Sequence, residues 1–145
     1  MRLTRAGEYA IRCALYLAQH RERPVIGRKE IAEAMDIPSQ FLGKVAQHLA
    51  RAGIIAIRQG AHGGYELVRR PEEISLLAVV EAIDGEIFLN DCLHQPDSCD
   101  RQTICSVHQV WARARRQLRD TLGDTTLAGL AEKEARQDAK GPAGC

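Results

Sequence analysis

Apolar positions recur at three- and four-residue steps from the start of the chain. Leu3, Ala6, Ala10, Ala14 and Leu17 follow this spacing behind Thr4, a residue type that caps helix N-termini, and predict an amphipathic helix to about Gln19. Cys13 lies on or beside its apolar face and reads as a small core residue. After the polar break His20 to Pro24, Ile31, Ala32 and Met35 mark a second helix from Arg28. It stops at Asp36-Ile37-Pro38, because proline disfavours helix in the residue before it. Ser39 is placed to cap a third helix, with Phe41, Leu42, Val45 and Leu49 on its inner face and Gln40, Lys44, Gln47, His48 and Arg51 outside. Gly53 ends it as a left-handed residue would.

Ile54 to Arg58 reads as a strand, Gln59 to Gly64 as a glycine-rich turn and Tyr65 to Val68 as a returning strand. Two short helices joined by a tight turn form a helix-turn-helix, and a hairpin directly after the second is a wing. Ser75 to Asp84 is a further apolar helix, Gly85 to Thr103 is irregular, and from about Ile104 the longest helix begins. Its Val107, Trp111, Ala114, Leu118 and Leu122 form an apolar seam, with Arg113, Arg115, Arg116 and Arg119 largely outside. The seam either packs on its own head or pairs with its copy. Pairing is favoured, because two recognition helices must sit about one turn of DNA apart, roughly 34 Å.

The expected architecture is mainly α with a small β-wing: a winged helix-turn-helix head over 1–84, a cysteine-rich loop over 85–105, a dimerisation helix with a short terminal helix over 106–136, and a flexible tail over 137–145. Cys145, in that tail, reads as incidental.

Charge sharpens the functional reading. The net +1 of the 145 residues conceals an asymmetry: residues 1–70 carry 12 Lys+Arg against 6 Asp+Glu, net +6, and residues 71–145 carry 8 against 13, net −5. A basic N-terminal half is how a DNA-binding head looks in sequence. The expected contacts are Arg2, Arg28, Ser39, Gln40, Lys44, Gln47, His48 and Arg51, with Arg58, Gln59 and His62 from the wing, and the expected partner is double-stranded operator DNA. No apolar stretch approaches the roughly 20 residues of a membrane span. Arg2, Arg5, Glu8 and Arg12 interrupt any signal-peptide core, so a cytoplasmic protein is expected.

Five cysteines in such a chain argue against a disulfide framework, and Cys92, Cys99 and Cys105 crowd one loop, followed by His108. Zinc sites usually pair ligands two to four residues apart, a knuckle this spacing lacks, so structural zinc in an interaction module is the second reading. Three thiolates on an irregular loop suit an iron-sulfur cluster, with His108, one turn past Cys105, as a fourth ligand of different type. Cys105 and His108 have no identifiable orienting partner or oxyanion loop, so an enzyme with a small-molecule substrate is not expected.

The opening Met1-Arg2-Leu3-Thr4-Arg5-Ala6-Gly7-Glu8-Tyr9-Ala10, the wing Gly63-Gly64-Tyr65, the segment Val80-Glu81-Ala82-Ile83-Asp84-Gly85 and the Cys92/Cys99/Cys105/His108 set together resemble the Rrf-type family of bacterial winged-helix regulators, the IscR/NsrR group. The resemblance covers about residues 1–130. It implies a homodimeric transcription regulator that senses iron-sulfur status, iron, nitric oxide or redox state through a cluster on the three cysteines. IscR-like members place a histidine where His108 stands and hold two irons; NsrR-like members use an acidic residue of helix 1 from the partner subunit, the position of Glu8 here, and hold four. The two-iron version with His108 is favoured.

Overall fold

A computed structural model describes residues 2–141, so the last four residues of the expected tail, Cys145 among them, lie outside the described residues. Helix α1 spans Arg5–Gln19, and the Thr4 hydroxyl accepts from the Gly7 N–H, as the sequence predicts. Helix α2, Arg28–Ala34, ends in a way the proline argument missed. Asp36 takes a left-handed φ of 52°, and the Ile37 N–H returns to the Ala32 carbonyl at 2.9 Å, closing the helix before Pro38 is reached.

Helix α3 covers Ser39–Arg51, but Ser39 is its first residue and not its cap. Pro38 is the N-cap, its ring holding φ at −57° and its carbonyl accepting from Phe41 and Leu42. Leu42, Val45, Ala46 and Leu49 are buried, whereas Phe41 is 45% exposed and leans on Tyr9 with ring centroids 6.1 Å apart. Phe41 leaves the inner face because its i+3 and i+7 neighbours are Lys44 and His48, both outside. Gly53, at φ 73°, follows the helix as expected.

Strands β1, Ile55–Arg58, and β2, Gly64–Leu67, pair antiparallel with Ile55 opposite Leu67 and Arg58 opposite Gly64. The hairpin is fixed to the head by an isolated bridge in which the amides of Ile26 and Tyr65 each donate to the other's carbonyl, at 3.0 and 2.9 Å. The wing is thus pinned to the head by this bridge rather than standing as a free ribbon.

Helix α4, Leu76–Asp84, is capped by Ser75 and packs on α1 and α3. Three short 3-10 turns then carry the chain to helix α5, Ser106–Gly123. Helix α6, Leu127–Asp138, is capped by Thr126 and returns to α1, burying Leu127 completely. It runs two residues into the segment expected to be a tail, and one turn before that segment Glu134 accepts from Gln19 of α1. The core therefore joins the first four helices to the last, and α5 contributes no buried residue to it. No helix among the described residues is long and apolar enough to cross a membrane.

Candidate nucleic-acid interface and cysteine loop

The outer face of α3 and the wing enclose an open groove of about 520 Å³. Arg28, Gln40, Lys44 and Gln47 line it from the helical side, and Arg58 and Gln59 from the wing. Six of the eleven residues expected to meet DNA thus converge on one surface. Ser39, His48 and Arg51 are exposed on α3, and His62 is exposed near the wing tip. Arg2 is not in this groove; it lines a separate cavity with Thr4, Asp84 and Glu86, because Thr4 is hydrogen-bonded to Asp84 and holds the N-terminus against the end of α4.

Arg58 is tied to Glu66 at 2.8 Å, so part of its charge is already answered. Among the described residues, Arg28 and Lys44 have no carboxylate partner. Tyr65 adds an aromatic wall whose hydroxyl is pushed above the usual phenol range by burial. Sequence reasoning did not assign Tyr65 or Gly43 to this surface. A glycine inside a helix costs about 1 kcal/mol relative to alanine, and that cost was the available signal for Gly43.

Cys92 lies in the turn Asp91–Leu93, Cys99 directly follows the turn Pro96–Ser98, and Cys105 immediately precedes α5. All three carry free thiols, with Cys99 exposed and the others half-buried. Among the described residues, no three His, Cys, Asp or Glu side chains converge closely enough to hold a metal ion. The donor chemistry nevertheless fits a metal group. His108 Nδ1 is buried without a hydrogen-bond partner, an expensive state for a polar atom unless something else engages it. Glu8 sits half-buried in the first turn of α1. Cys13, by contrast, is sealed in the core and its thiol is pushed up to about 12 by burial, so it is a packing residue.

The arginines of α5 divide in a way the helical pattern did not anticipate. Arg113 and Arg116 are exposed, while Arg115 and Arg119 turn inward. Arg115 donates to the Ile87 carbonyl at 2.7 Å and pairs with Glu86; Arg119 pairs with Glu81 of α4. The Trp111 indole N–H meets the Asn90 amide oxygen at 3.0 Å once that amide is oriented to satisfy both groups. The first part of the cysteine loop is thereby stitched to α5, and Ile87 is buried.

Comparison with known proteins agrees with this architecture. A family model described as Rrf2, iron-dependent transcriptional regulator, matches residues 3–133. The chain is 32% identical over 130 residues to protein rrf2 of Nitratidesulfovibrio vulgaris, covering 90% of this chain and 87% of that one. It is 29% identical over 138 residues to the HTH-type transcriptional regulator IscR of Aliivibrio salmonicida, covering 94% and 82%. Among solved structures, CymR, the global cysteine regulator of B. subtilis, shares the fold with a TM-score of 0.77 at 23% identity, over 92% of this chain and 98% of that one. With its helix-turn-helix, its wing and a family match running almost end to end, the chain belongs to the Rrf2 family of transcriptional regulators and is not an enzyme.

Proposed function

We propose that the protein binds operator DNA as a homodimer through the α3 and wing groove, and that an iron-sulfur cluster on Cys92, Cys99, Cys105 and His108 adjusts that binding. The convergence of Arg28, Gln40, Lys44 and Gln47 with the wing in one groove carries the DNA reading. Residues 1–84 act as the head, 85–105 as the cluster loop and 106–136 as the dimerisation segment in this scheme. Lys44→Ala should weaken binding to all duplexes and lower the salt slope by about one unit, since a phosphate contact acts through counterion release. Gln40→Ala should instead change base preference, because an amide near the start of a recognition helix pairs bidentately with adenine. If neither variant altered affinity or preference for a selected operator, the docking would be wrong.

Three free thiols and the unpartnered Nδ1 of His108 support the cluster reading, with two irons favoured and four, using Glu8 of a second copy, as the alternative. The bound group would supply a centre that responds to oxidation and to iron supply. The chain's own residues offer a route from it. Cys105 and His108 begin α5, Trp111 and Arg115 hold Asn90 and Ile87 of the loop, and Arg119 reaches Glu81 on α4, which packs on α3. A bias of about 1 to 3 kcal/mol between head spacings would change operator affinity roughly 5- to 150-fold.

The test is protein purified without oxygen, with visible absorption recorded and iron, sulfide and zinc assayed, followed by operator affinity with and without the cluster at one salt concentration. Cys99→Ala should remove colour and iron together, while His108→Ala should alter the spectrum. A colourless protein holding zinc would replace this reading with a zinc-stabilised one. Equal affinities with and without the cluster would leave it at most structural.

A further inference from the structure

Arg28 stands on α2, yet its guanidinium lies on the outer face of α3. A Cβ built at Gly43 would be 3.2 Å from its Cζ and both terminal nitrogens, so the planar group rests directly on the backbone of α3 where a side chain is missing. Its Nη2 donates to the Ser39 carbonyl at 2.5 Å, which ties it to the first turn of the same helix. Gln40, Lys44 and Gln47 surround it in the groove. No carboxylate among the described residues answers its charge, and Arg28 itself is exposed.

We infer that Arg28 is a specificity-determining residue of this regulator: it is delivered from α2 through the notch at Gly43 to the base-reading face of α3, where it recognises guanine in the major groove. The inference rests on the duplex-binding reading above and deepens it. Residues near the N-terminus of a recognition helix meet base edges, and Gly43 sits in that part of α3 without a side chain to do so. A guanidinium has five N–H donors in a rigid fork, and the Ser39 carbonyl takes only one of them. The free edge matches the O6 and N7 acceptors of guanine. The Ser39 tether fixes the fork's direction before DNA arrives, which lowers the entropy lost on contact. A phosphate contact carries no sequence information directly, so the same position would give affinity without guanine preference if Arg28 met the backbone of the duplex instead.

The experiment selects preferred sites from a library of random duplexes with the wild-type protein, then with Arg28→Ala, Arg28→Lys, Gly43→Ala and the Arg28→Ala/Gly43→Ala double variant. Affinity for the selected site and for an unrelated duplex is measured at one salt concentration. Arg28→Ala should lose guanine preference at one position per half-site and weaken the selected site roughly 5- to 150-fold, with a much smaller change on the unrelated duplex. Arg28→Lys should not restore the preference, because a point charge lacks the fork. Gly43→Ala should keep or raise the melting temperature, since alanine favours helix, while displacing the guanidinium and reducing the same preference. In the double variant the glycine substitution should add nothing further.

If Arg28→Ala lowered selected and unrelated binding equally, with the guanine preference intact, Arg28 would be a phosphate contact and the inference would fall while the duplex-binding reading stood. An unchanged preference in Gly43→Ala would remove the notch from the account. A wild-type protein that enriches no duplex would overturn the duplex-binding reading itself.

Discussion

Gly64→Ala should destabilise the protein by about 2 to 4 kcal/mol and detach the wing from the head. Gly64 has φ 155°, and a methyl group there would lie 2.1 Å from the Ile26 carbonyl oxygen, which is backbone and cannot swing aside. That same oxygen accepts from the Tyr65 N–H, and the Ile26 N–H donates to the Tyr65 carbonyl. Relieving the clash therefore separates the two backbones and breaks both hydrogen bonds, at a point where Ile26 and Tyr65 are buried. Gly60→Ala is the control. Gly60 also has a positive φ, 100°, but faces open space, so only the backbone strain, about 1 kcal/mol, is incurred. Denaturant midpoints of the two variants against wild type measure the difference, and equal losses would show that the close approach to Ile26 is not what requires glycine.

The other large effect belongs to α5. Ile104 beside its start is 76% exposed, Val107 and Val110 are each 49% exposed and Trp111 is 41% exposed. These residues lie along one side of the helix as an apolar face that the described residues leave about half exposed or more. Val110→Glu should leave folding stability within about 0.5 kcal/mol, because the side chain is half in water already. In a dimer the same carboxylate would be buried against an apolar partner, so the variant should sediment as a monomer. Loss of the second half-site contact should then weaken operator binding by roughly 100-fold or more. Leu118 and Leu122 are less suitable positions, since both are partly covered within the chain and a charge there would disturb the head as well. A wild-type protein that sediments as a monomer at micromolar concentration, or a Val110→Glu protein that remains dimeric, would remove α5 as the interface.

Local signals in the chain carried most of the secondary structure. Thr4 and Ser75 cap α1 and α4 through their own hydroxyls, and Gly53 follows α3 in the left-handed region, because capping and positive-φ turns depend on side chains within three or four residues. The outer face of α3 was equally legible. Helical periodicity alone separates Gln40, Lys44, Gln47, His48 and Arg51 from the buried Leu42, Val45 and Leu49.

What sequence reasoning missed depended on contacts between distant segments. Arg115 and Arg119 carry the same charge as Arg113 and Arg116, and only the positions of Ile87, Glu86 and Glu81 turn the first pair inward. Phe41 is a miss of another kind: its angular position on α3 beside Lys44 and His48 was legible in the helical period, and its hydrophobicity outweighed that local signal. Helix α6 closes the core against α1, a pairing across more than 100 residues that no local pattern encodes. The notch at Gly43 is the plainest case. The sequence states that a glycine interrupts a helix, but only the tertiary fold brings Arg28 from the preceding helix to rest on it, because side-chain reach across a helix-turn-helix is fixed by packing and not by chain order.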